Sequence, residues 1–332
     1  MQSVLQNSWQ QGVEFLQTKY PILGGAMSWL SEHNLVSAIS EAGGFGVLAA
    51  GSMSADLLRQ EVRKTFEKTD KPFGVNLITM HPDLADLVNV VVEEKVSHCV
   101  FAGGFPDAAT VRVLKDANIK VMLFAPSLAL GKRLIKRGAD ALIIEGHEAG
   151  GHVGPVATTV LMQEILPHIK DVPVFVAGGI SNGDLVAGAL ELGAAGCQIG
   201  TRFVCVDECI AHDNFKKAFI RAQARSAVVT AQFDPALPVI PVRALANEGT
   251  VAFNTLQLSL VKQVKAGEKD RKDALMELEH FWVGALRNAA IDGDVKNGSV
   301  MAGQCVGMVN KVQPVAEVIE ELVSVARQRM EA

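Results

Sequence analysis

An α/β fold of the (β/α)8 TIM-barrel type is the architecture this sequence predicts, and three observations predict it. Short apolar runs alternate with helix-like segments through the first two thirds of the chain, giving eight βα units without interruption. The runs are apolar on both faces, as parallel strands covered by helices are. Gly-rich stretches follow the C-terminal ends of the runs, and in a closed barrel these ends converge on the one face that carries chemistry. An open doubly wound sheet, usually with fewer strands, is the alternative fold.

Taken in order, residues 1–19 read as a short amphipathic helix packed on the domain exterior. The first strand is 21–23, ending in Gly24 and Gly25, and helix 32–42 follows until Gly43 and Gly44 stop it. Strand 45–49 precedes helix 55–68, strand 72–77 precedes helix 82–95, and strand 98–102 precedes helix 107–117. Strand 120–124 and helix 128–137 lead to strand 141–144, and helix 160–169 to strand 172–177. Helix 185–192 and strand 196–199 complete the eight. Beyond Phe203 the pattern changes to helices at 214–223, 251–264 and 273–290 around an irregular, proline-bearing stretch at 233–242. The expected division is a barrel of residues 1–205 and 299–332, with 206–298 as a small helical insertion over its mouth. Residues 313–330 supply the last barrel helix, with Val315, Val318, Ile319, Leu322, Val323 and Val325 as its apolar stripe.

Composition excludes several classes. At 332 residues with 49% hydrophobic and 20% charged, the chain can bury a sizeable core and is not a disordered one. Net charge is −5 and no basic run is longer than two residues, so a nucleic-acid or membrane-surface partner is not expected. No apolar run approaches the roughly 18 residues of a spanning helix, and residues 1–19 do not read as a signal peptide. The five cysteines suit a reducing cytoplasm. Cys205 and Cys209 are spaced C-x3-C without a second pair, so no metal site is expected.

The stretch Glu145-Gly-His-Glu-Ala-Gly-Gly-His152-Val-Gly154 stands out. It follows the buried run 141–144 and sets His152, a side chain able to move a proton near neutral pH, among Gly146, Gly150, Gly151 and Gly154, where backbone can approach a flat ligand. Ala177-Gly-Gly-Ile180 and Ile199-Gly-Thr-Arg-Phe203 follow the seventh and eighth strands, where barrels often bind phosphate through backbone N–H groups. They read either as tight turns or as a phosphate site made by Gly178, Gly179, Gly200 and the Thr201 hydroxyl. No GxGxxG follows the first strand, which argues against a Rossmann dinucleotide domain, whereas a phosphate at strands seven and eight of a barrel favours a mononucleotide cofactor such as FMN. Asn76, polar at the end of an apolar strand, reads as a turn residue or as a partner for a flavin ring edge. Gly25, Ala26 and Met27 could lie beside the ring. Trp29 is a core staple or a wall of the substrate pocket, and His147 is a second pocket candidate or simply solvated.

These residues carry a resemblance. Tyr20-Pro-Ile-Leu-Gly-Gly-Ala-Met-Ser-Trp29, Glu41-Ala-Gly-Gly-Phe-Gly46, Lys71-Pro-Phe-Gly-Val-Asn76, the Glu145 to Gly154 motif, Ala177 to Ile180, Gly200-Thr-Arg-Phe203 and Gly298-Ser-Val-Met-Ala-Gly-Gln304 occur in this order over nearly the whole chain. Together they resemble the nitronate monooxygenase-like (2-nitropropane dioxygenase) flavoproteins, which include the enoyl-acyl-carrier-protein reductase II (FabK) branch. The resemblance implies a barrel with non-covalent FMN and a lid. It implies ring contacts at Gly25, Met27 and Asn76, phosphate contacts at Gly178, Gly179, Gly200 and Thr201, and Glu145 and Gly151 lining the same cavity. His152 matches the catalytic histidine and Gln304 sits in a closing segment. Gly24, Ala26 and His147 depart from the reductase branch.

The expected function is an FMN-dependent, NADH- or NADPH-using reductase of a trans-2-enoyl thioester on acyl carrier protein, a step of fatty acid synthesis. The alternatives are a nitronate monooxygenase, an NAD(P)H:quinone reductase and a non-catalytic flavin-binding protein. A homodimer is expected from the resemblance alone.

Overall fold

The structure, a computed structural model, describes residues 3–332. Eight parallel strands form one sheet: Ile22–Gly24, Gly46–Ala49, Phe73–Ile78, His98–Ala102, Lys120–Phe124, Ala141–Glu145, Val174–Ala177 and Gly196–Ile199. Each expected run becomes one of them. Consecutive strands are neighbours, the eighth pairs with the first through Ile22 and Cys197, and a parallel bridge between Leu23 and Phe45 joins the first to the second. The sheet is therefore closed, with helices between the strands, as in a TIM barrel.

Side chains alternate along each strand, and the inward set fills the barrel. Leu23, Phe45, Val47, Val100, Met122, Ile143, Phe175 and Ala177 form one buried interior cluster, separate from the larger layer between strands and helices. Helix Val4–Leu16 has a role the sequence did not suggest. Leu5 and Trp9 pack against the outer layer as expected, but the last turn sends Phe15 and Leu16 into the interior cluster. Phe15 meets the His98 ring edge-on at 5.1 Å, and its carbonyl lies 3.0 Å from His98 Nε2. The helix thus closes the barrel at the start of the strands, opposite the Gly-rich loops. His98 is buried there, and burial pulls its imidazole down to about 4, so it stays neutral. The first two residues of the expected helix lie outside the described ones.

After the eighth strand come helices Thr201–Val204, Asp213–Arg221, Glu248–Ala266 and Arg271–Ala290, then the closing helix Val315–Glu331. The stretch read as helical also carries strands Ala227–Val229 and Val242–Leu245. They pair antiparallel with each other, and Val242–Leu245 pairs with Gly151–His152 from the sixth barrel loop. Strands this short carry no periodic signal. A second small core joins Leu237, Val242, Phe253, Leu260, Leu278 and Trp282, with the Phe253 and Trp282 rings 4.2 Å apart. The five cysteines are buried and unpaired. No helix among the described residues is long and apolar enough to cross a membrane.

Candidate active site

The barrel strands end in a cavity of about 630 Å³. Strand alternation decides its floor. Val47 and Ala49, Val100 and Ala102, Phe124 and Ala177 supply an apolar surface, and Asn76, Glu145 and Gln198 supply three polar tips from the third, sixth and eighth strands. Asn76 is 7% exposed. Among the described residues, no protein group makes a hydrogen bond to the side chain of any of the three. Asn76 is buried and Glu145 and Gln198 are half-buried, and all three face the cavity without a protein partner, so a ligand there would meet free donors and acceptors.

Glu145 is the one of the three that titrates. Burial without a partner pushes its carboxyl up to about 7. Gln198 was not singled out from the sequence, yet the signal was present. It is the polar residue of the run Gly196-Cys-Gln-Ile199 and takes the same inward, strand-end position as Asn76 and Glu145.

The loops around the floor are held by internal bonds. Gly25 N–H donates to the Ile199 carbonyl at 2.7 Å, tying the first loop to the eighth strand. The Ser31 hydroxyl accepts from Met27 N–H at 2.9 Å and donates to the Gly25 carbonyl at 3.0 Å. The Glu148 carboxylate accepts from both the N–H and the hydroxyl of Thr158, and its carbonyl accepts from Gln304 N–H at 2.9 Å. Thr201 Oγ1 accepts from Gly303 N–H at 3.0 Å. Arg243, 3% exposed, donates twice to the His147 carbonyl and once to that of Ala227. Burial lowers the pKa of this guanidinium. The Arg243 clamp is long-range and was invisible in the sequence.

The cavity brings together Gly25, Ala26, Met27, Asn76, Glu145, Gly150, Gly151, His152, Gly178, Gly179, Gly200 and Thr201. Three candidates lie elsewhere. Trp29 is absent from the lining, and its indole N–H donates to the Val283 carbonyl at 3.3 Å. His147 is folded into its own loop, with Nδ1 2.7 Å from the Gly154 carbonyl. Gln304 lines a smaller cavity of about 200 Å³ that shares Gly178, Gly179 and Cys305 with the first. His152 is at the rim, its side chain 48% exposed, with Nε2 3.3 Å from Glu279 Oε2.

Gly178 and Gly179 take left-handed backbone at φ 93° and 75°, and a Cβ on Gly178 would come within 2.8 Å of the Gly146 carbonyl oxygen. We predict that Gly178→Ala costs about 1–2 kcal/mol from the left-handed strain alone, measured by urea unfolding. An unchanged midpoint would contradict this placement.

The family model for nitronate monooxygenase matches residues 10–89 and 84–324. The chain belongs to the nitronate monooxygenase family. Across the family, FabK from Thermotoga maritima is structurally similar, with a TM-score of 0.86, 36% identity and 96% of each chain covered. A (3aS,4S,5R,7aS)-5-hydroxy-7a-methyl-1-oxo-octahydro-1H-indene-4-carboxyl-CoA dehydrogenase of Mycobacterium tuberculosis is 30% identical over 93% of this chain and 94% of that protein. A nitronate monooxygenase of Paraburkholderia phytofirmans is 28% identical over 94% of this chain and 93% of its own. The protein is an enzyme, an oxidoreductase of this family.

Proposed function

We propose that the protein is an FMN-dependent reductase of an α,β-unsaturated acyl thioester, best a trans-2-enoyl group on acyl carrier protein, with NADH or NADPH as the electron source and the cytoplasm as its place. The FMN fits the residues present. Asn76, Glu145 and Gln198 offer unpaired donors and acceptors to a ring edge, and Gly25, Ala26 and Met27 place backbone beside it. Gly178, Gly179, Gly200 and Thr201 border the end suited to a phosphate, with Gly150 and Gly151 closing the site. Bound flavin would supply the relay of hydride from nicotinamide to an activated carbon.

The observation that carries the substrate reading is the lining itself. Among the described residues, no lysine or arginine lines the cavity, and beyond its floor the lining includes Phe105, Ile240, Leu286 and Met301. Such a wall suits a neutral, apolar acyl group and offers a small anion no fixed cation. A thioester substrate also stands in the name of the mycobacterial relative. Reduction of the double bond requires hydride at the β-carbon and a proton at the α-carbon. His152, on the rim, supplies the proton. Residues 206–298, with their own small core, act as a lid on the barrel of residues 1–205 and 299–332.

Nitronate oxidation is the second reading, favoured by the family match and the Paraburkholderia relative. Steady-state assays separate the two. Nicotinamide oxidation that depends on crotonyl thioester, without oxygen, supports the reductase. Oxygen uptake driven by an alkyl nitronate, with no thioester-dependent nicotinamide oxidation, would replace it. Quinone as the sole acceptor would move the assignment to a quinone reductase.

A further inference from the structure

Helix Arg271–Ala290 turns one face to the cavity mouth. Glu279, Val283, Leu286 and Arg287 fall at i, i+4, i+7 and i+8, which is one stripe of a helix. Each member has a partner there. Glu279 Oε2 lies 3.3 Å from His152 Nε2, and Leu286 lines the cavity. The Val283 carbonyl accepts from the Trp29 indole, and the Arg287 guanidinium lies 5.9 Å from the centroid of the Trp29 ring. Trp29 holds φ at 69°, a costly backbone for a bulky residue.

His152 itself is fixed in two ways. Its backbone is set by pairing with Val242, by Val153 N–H donating to the Pro241 carbonyl at 2.9 Å, and by the Arg243 clamp on His147. These contacts leave the ring torsions free. Among the described residues, Glu279 is the only group within ion-pair reach of the ring, and His152 is the only ion-pair partner of Glu279.

We propose that Glu279 is a positioning residue for His152, so that the insertion orients the proton donor that the barrel loop carries. The proposal rests on the role given to His152 above. A carboxylate oxygen 3.3 Å from Nε2 is placed to accept that N–H after a small turn of the ring, which would fix it. The proton delivered to the substrate α-carbon then leaves from Nδ1. The imidazolium becomes neutral imidazole, the Nε2–H bond to Glu279 is kept, and the hydride and proton together complete the two-electron reduction.

The test compares Glu279→Ala and Glu279→Gln, each with His152 intact and in a His152→Ala background, all as flavin-loaded protein. Both partners are part-exposed, so the expected loss of kcat in Glu279→Ala is about fivefold, with KM and flavin affinity unchanged. Glu279→Gln keeps an acceptor oxygen and retains most of the turnover. On His152→Ala, Glu279→Ala has no further effect. A second readout does not use turnover. Carbethoxylation of His152, followed by peptide mass analysis on protein without flavin, becomes several-fold faster in Glu279→Ala as Nε2 is released. Parental kcat and labelling rate in Glu279→Ala would overturn the proposal, as would an equal loss in the Gln variant or an undiminished loss on His152→Ala. Full turnover by His152→Ala itself would remove the underlying role, a separate and distinguishable failure.

Discussion

His152→Ala lowers turnover of an enoyl thioester by about 100-fold or more, while FMN stays bound and the fold is unchanged. A positioned acid or base typically contributes this much. The flavin should stay because the floor and loops that fit it come from other residues, and the His152 side chain is 48% exposed at the rim. Truncating an exposed side chain creates no buried cavity, so the effect on stability is small. The measurement is kcat with crotonyl thioester beside the flavin absorbance retained after gel filtration. Wild-type turnover would exclude His152 as proton donor, and loss of flavin would give it a binding role instead.

Glu145→Gln stabilises the cofactor-free protein in a pH-dependent way. The folded-state carboxyl sits near 7, above its ordinary value of 4.5, because it is buried without a partner. Below pH 4.5 the group is neutral folded and unfolded, and burying it costs little. Between 4.5 and 7 the unfolded chain loses the proton while the folded chain keeps it, so stability falls as pH rises. Above 7 the full cost remains, up to about 3 kcal/mol for this shift. The Gln variant should therefore match the parent near pH 4 and exceed it by up to about 3 kcal/mol at pH 8, read by urea unfolding of both at each pH. Taking the difference cancels other titrating groups, His98 among them. A constant difference across pH would mean that Glu145 is solvated or paired.

The barrel was legible because the strands are apolar runs buried on both faces and mostly followed by glycine, a pattern that needs only local sequence. Much of the cavity lining was legible for the same reason. Glycines at strand ends mark loops that approach one another, and Asn76 and Glu145 interrupt apolar strands. Gln198 could have been found by counting alternate positions along the eighth strand. Arg243 and Glu279 could not, because their partners lie across long-range contacts and their own surroundings look like ordinary strand and helix. Trp29 and His147 were placed in the pocket by proximity in sequence, whereas backbone carbonyls at Val283 and Gly154 hold their side chains. The N-terminal helix was read as exterior because an apolar stripe does not tell whether it packs on a barrel wall or closes a barrel end.

Anaerobic flavin bleaching tests the central claim most directly. The purified protein is mixed without oxygen with NADH or NADPH, and the reduced sample is then mixed with crotonyl thioester. The account predicts full bleaching by a nicotinamide and return of the oxidised spectrum on adding the thioester. Bleaching by an alkyl nitronate but by neither nicotinamide would contradict it.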